Sequence, residues 1–131
     1  MNSIIKYLII FSLHTYMFSQ ANVLQNIMQI SKSMSSEERK SLSRAKSHER
    51  AGLIKEANLI YMQLFKGNPK SKEIFASYKS FLKKQKNWEQ LIEISKIYAN
   101  SLKDDPYGKL ALADSYLIAD MEHKAYPLFC R

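Results

Sequence analysis

Asp120, Glu122 and His123 are the densest group of metal-binding or proton-handling side chains in the sequence, with Asp114 a little over two turns upstream. A zinc site on a helix needs ligands that converge on one face, most simply an i, i+4 pair. The 120/122/123 spacing supplies no such pair, and these residues read as the polar end of a helix. His48 lies among Ser47, Glu49 and Arg50, and His14 lies in an apolar run. Cys130 is the only cysteine, so no intrachain disulfide, CxxC pair or Cys/His zinc spacing exists. There is no serine elbow, glycine-rich phosphate loop or paired-carboxylate motif. The expectation is a protein without catalytic residues, metal or cofactor.

The remaining chemistry is charge. Twenty Lys and Arg against twelve Asp and Glu give a formal net charge of +8. That balance suits acidic proteins, anionic lipid or nucleic acid. The basic residues are spread along the chain without interleaved exposed aromatics, which argues against nucleic acid. The N-terminus argues the same way. Lys6, the apolar run Tyr7–Leu13 and the small residues of Ser19-Gln-Ala21 form a secretory signal over 1–21, with cleavage expected before Asn22. His14, Thr15, Ser19 and Gln20 interrupt the apolar run, so a membrane anchor retained after export is the alternative rather than the expectation. The short signal and its Phe-Ser-Gln ending resemble those of secreted Bacteroidetes proteins, which implies the periplasm or cell envelope of a Gram-negative bacterium.

Helices must position these residues. The 131 residues make no more than one domain, with only three glycines, three prolines and 46% hydrophobic residues, a composition that points to an all-α fold. Val23, Leu24, Ile27, Met28 and Ile30 predict a short amphipathic helix over 22–34 whose polar face carries only Lys32. It either covers an apolar end of the helical array or lies on a membrane surface. Ser35-Ser-Glu-Glu38 is a capping box that starts a helix near residue 36. Gly52 breaks that helix, and the next, over 53–66, stops at Gly67-Asn-Pro69 through a left-handed glycine cap and the proline. Further helices are expected over 71–85, 88–102 and 107–119, with a last one from Met121 that Pro127 should end or kink.

The helices recur. Ile54, Trp88 and Glu122 lie 34 residues apart, as do Ala57, Leu91 and Ala125, then Tyr61, Ser95 and Phe129, then Ala45, Lys79 and Ala113. That period, with Gly52, Ile54, Ala57, Tyr61, Leu64 and Pro69 at the offsets of the family motif, resembles the tetratricopeptide repeat. The units are 38–71, 72–105 and an incomplete 106–131, preceded by a capping helix and linker over 22–37. The middle unit departs most, with Lys79 and Leu91 at small-residue positions and Ser95 at an aromatic one. The resemblance implies an α-solenoid of antiparallel helix pairs wound into a right-handed superhelix. It also implies a protein-binding scaffold whose first helices line a concave groove. By helical phase, Arg39, Lys46, Arg50, Lys83 and Lys84 would hold an acidic segment of a protein partner, and Leu110 and Leu117 an apolar residue. Glu49, Ala76, Tyr107 and Asp114 fall on the same face. Because the third unit stops short, the chain reads either as part of a longer array, with the N-terminal domain of a longer envelope enzyme or assembly factor as the alternative function, or as one whose open end takes a partner or a second copy.

Overall fold

The computed structural model describes the backbone of residues 2–30 and 34–130, and the side chains of 2–17 and 34–130. The chain divides into two compact units, 1–33 and 34–131. The first contains one helix, α1 (Asn2–Ile30). Its backbone continues through residue 22 instead of starting a new helix there, because no glycine or proline interrupts the stretch. Ile5, Leu8, Ile9 and Leu13 are all exposed on it. No helix among the described residues is long and apolar enough to cross a membrane. The expected side-chain pattern from Val23 to Ile30, and Lys32 with it, lies outside the described residues.

The second unit is all helix: α2 (Ser36–Arg50), α3 (Ile54–Gly67), α4 (Lys72–Lys84), α5 (Trp88–Ser101), α6 (Pro106–Ile118) and α7 (Glu122–Phe129). Each packs on the helix next in sequence. The starts are set locally. Glu38 N–H donates to Ser35 Oγ, and Ser35 N–H donates back to Glu38 Oε2 at 2.7 Å, which completes the capping box. Ser71, Asn87 and Asp105 cap α4, α5 and α6, and Pro106 occupies the first turn of α6.

The turns within the pairs are the same turn three times. Gly52, Lys86 and Asp120, 34 residues apart, have φ values of 77°, 54° and 57° and are the chain's left-handed residues among those described. In each turn the left-handed residue donates its N–H to a carbonyl three residues back (Glu49, Lys83, Leu117). The next residue donates five back (Leu53 to His48, Asn87 to Leu82, Met121 to Tyr116). This is the Schellman pattern, which satisfies the orphan carbonyls of the first helix and aims the second antiparallel to it. Gly67 is not left-handed, contrary to the cap expected there. Pro69 ends α3 instead, by driving Asn68 to φ −144°.

The core is aromatic where α3, α4 and α5 meet. Phe75 stacks on Tyr98 with ring centres 4.0 Å apart, and Tyr61 stacks on Tyr78 at 5.6 Å. Phe65 and Phe81 close the cluster. Tyr78 is fully buried, so its hydroxyl needs partners. It donates to Asn58 Oδ1 and accepts from Gln90 Nε2. Burial, with the charge of Glu93, pushes its phenol up to about 12, and it stays a donor at neutral pH.

Between α5 and α6 the packing changes. Ser95, standing where the repeat has an aromatic, is fully buried and hydrogen-bonds Ser115 at 2.7 Å. Each hydroxyl also lies within reach of the carbonyl four residues back in its own helix, and with one proton apiece, one serine donates to the other while that one donates to its own carbonyl. Gly108 explains the small residues. A Cβ there would meet Ala99 Cα at 3.0 Å and Ala99 O at 3.2 Å, so the two backbones nearly touch.

These geometries set the stability of three variants. At Gly52 an added Cβ meets nothing within 4 Å, so Gly52→Ala should lose only the left-handed backbone term, about 1 kcal/mol. Lys86→Gly should gain about 0.5–1 kcal/mol at the equivalent turn. Thermal melts that move both variants in the same direction would contradict this assignment. Gly108→Ala should lower the melting temperature although alanine is the better helix former. Overpacking against backbone costs about 1–3 kcal/mol and exceeds the propensity gain of about 1 kcal/mol.

Candidate functional site

The first helices of the three pairs, α2, α4 and α6, border two clefts. Ion pairs link them: Lys84 Nζ lies 2.7 Å from Glu49 Oε1 between α4 and α2, and Lys79 pairs with Asp114 between α4 and α6. In both pairs the partners are 35 residues apart, one repeat plus one position.

The α2–α4 cleft is polar. Lys46, Glu49 and Arg50 face Ser80 and Lys84, with Tyr61 beneath them. Glu49 is the hub. It accepts from Tyr61 Oη at 2.9 Å through one oxygen and from Lys84 through the other. Burial raises its affinity for a proton, but the hydrogen bonds from Lys84 and Tyr61 and the charges of Lys84 and Lys46 outweigh that. The carboxyl is held below its ordinary 4.5. The same contact works the other way on Tyr61: burial first, then the Glu49 carboxylate, raises its phenol. Lys46 and Arg50 form no ion pair among the described residues, so the cleft has surplus positive charge.

The α4–α6 cleft is mostly apolar, about 410 Å³ in volume, with Phe75, Leu110, Leu117 and Phe129 in its walls. That size is within the range of about 300–1,000 Å³ that takes a ligand-sized group. Leu110 is 53% exposed and Phe129 50%. Lys72 Nζ sits 4.5 Å from the centre of the Tyr107 ring at the rim.

Of the residues singled out by sequence, Lys46, Arg50 and Lys84 border the polar cleft, and Leu110 and Leu117 the apolar one. Arg39 and Lys83 border neither. Arg39 lies two turns before Lys46, towards the start of α2. Lys83 is one residue from Lys84, about 100° around the helix, so only one of the two can face α2. Part of Lys84's charge is also committed to Glu49. Lys72, Lys79 and Phe129 were not assigned to this face by phase. Lys79 left one trace in the sequence: it breaks the Ala45/Ala113 small-residue position. The two alanines are fully buried, while the Lys79 stem is largely covered and its ammonium emerges at Asp114. Asp120, expected at a helix end, occupies the left-handed turn, and no three His, Cys, Asp or Glu converge on a metal position among the described residues. Cys130 is exposed.

The lowered pKa of Glu49 fixes a pH dependence. A depressed folded-state value adds stability above the ordinary 4.5, and that stability is lost as pH falls through the lower folded value. Denaturant titrations on either side of that window should show a steeper acid loss for wild type than for Glu49→Gln. Parallel pH profiles would remove Glu49 from this role. Comparisons of the sequence with models of known protein families and with curated proteins find no match.

Proposed function

We propose that the helix pairs form a tetratricopeptide-like solenoid, a right-handed superhelix that acts as a non-catalytic scaffold for another protein in the bacterial cell envelope. Three identical turns at a 34-residue period support the repeat reading. The apolar N-terminal stretch with its single Lys6 supports export. The face formed by α2, α4 and α6 is the binding face. The observation that carries this is the charge surplus of the α2–α4 cleft, where Lys46, Arg50 and Lys84 surround one carboxylate. Such a site attracts an acidic peptide segment, and its binding weakens with salt.

The test is an anisotropy titration of labelled acidic peptides against the full chain, with a Lys46→Glu/Arg50→Glu double variant as control. Both side chains are at the surface, so the variant keeps its helicity by circular dichroism. Affinity for the acidic peptide should fall at least about tenfold, about 1.4 kcal/mol. Equal affinity in wild type and variant removes the α2–α4 cleft from the binding face.

A further inference from the structure

The two clefts flank the same helix, α4, and Ala76 borders both. Their chemistry is opposite. We infer that the partner segment carries one large apolar side chain, a leucine or phenylalanine, and an acidic residue three or four positions away. The apolar side chain seats between α4 and α6, and the acid binds between α2 and α4. The inference rests on the binding-face reading above and specifies the partner's chemistry.

Charge complementarity chooses the occupant of each cleft. In the α4–α6 cleft the ammonium of Lys79 is already neutralised by Asp114, and Lys72 lies over the Tyr107 ring. Apart from Lys72 at the rim, what a guest meets is apolar: Leu110, Leu117 and Phe129, with the buried Phe75 behind them. In the α2–α4 cleft both oxygens of Glu49 are engaged by Tyr61 and Lys84. An incoming carboxylate therefore meets Lys46 and Arg50, whose donors form no ion pair among the described residues. A wholly apolar guest leaves these cations uncompensated, and a wholly acidic one leaves the leucines in water.

The spacing follows from helix geometry. On α4 the apolar cleft uses residues 72 to 79 and the polar cleft 76 to 84. The centres differ by four to five residues, about 7 Å at about 1.5 Å per residue, and lie about 10 Å apart across the helix. The resulting separation of about 12 Å is spanned by three to four extended residues at about 3.3 Å each.

The test uses labelled peptides of about ten residues in a Gly/Ser background, each with one Phe and a Glu-Glu pair at spacings from one to about six. They are titrated against the full chain by anisotropy. Affinity should peak at three or four residues, about tenfold above the Phe→Ser peptide and above the shortest spacing. Leu110→Ser, an exposed position that leaves folding intact by circular dichroism, should abolish the gain from Phe without changing binding of the Phe-less peptide. Arg50→Glu should weaken both. Affinity that ignores Phe and spacing but still falls in Arg50→Glu overturns this inference and leaves the binding face standing. Binding of no acidic peptide at all overturns both. If sedimentation shows a dimer that Leu110→Ser dissociates, a second copy fills the apolar cleft and the inference is again overturned.

Discussion

The rings between α3, α4 and α5 hold the helix pairs together. A single antiparallel pair has two faces and can bury only one, so the second must be covered by the next pair. Here that contact is Tyr61 and Phe65 of α3 against Phe75, Tyr78 and Phe81 of α4, continued by the Phe75–Tyr98 stack. Rings bring large apolar area with few rotatable bonds and add pair energies of about 0.5–1.5 kcal/mol beyond burial. They also force polar choices around them. A buried tyrosine must place its hydroxyl, and two of them do so at the edge of the core: Tyr78 on Asn58 and Gln90, Tyr61 on Glu49.

That second contact joins packing to surface chemistry. Tyr61 is a core residue, yet its hydroxyl holds one oxygen of Glu49 while Lys84 holds the other. Glu49 is thereby fixed, ionised and occupied in the α2–α4 cleft, and the neighbouring cations Lys46 and Arg50 form no ion pair among the described residues. The aromatic core thus sets the electrostatics of the α2–α4 cleft. Between α4 and α6 the ion pair sits about one turn earlier in the repeat, with lysine on the earlier helix, and the cleft beside it is mostly apolar. The same architecture produces two unlike sites because the residues at equivalent positions differ.

The α5–α6 contact shows a second way of closing the stack. Where the repeat pattern asks for an aromatic, Ser95 is buried against Ser115, and Gly108 lets α6 approach the backbone of α5 at Ala99. The departure at 95 is therefore paired with a compensating one at 108. Close approach replaces bulk, and one hydroxyl donates to the other, which donates in turn to its own helix, so neither is orphaned in the core.

Local signals made most of the helical layout readable. The capping box at Ser35, the break at Gly52, Pro69 and the Asp105-Pro106 start each act through the residue's own backbone or side chain, and periodicity identified Ala57, Tyr61, Tyr78 and Tyr98 as core. The 34-residue period also fixed where the turns recur. Counted from Gly52 it falls on Lys86, whereas side-chain preference alone points to Asn87, and the Schellman bonding places Lys86 in the left-handed position. Helical phase placed Lys46, Arg50, Leu110 and Leu117 on one face, because phase is a property of each helix by itself. The pairing of Lys84 with Glu49 and of Lys79 with Asp114, and the division of that face into a polar and an apolar cleft, depend on how separate helices meet. Those distances arise from side-chain volumes summed across interfaces, and only the tertiary structure decided them.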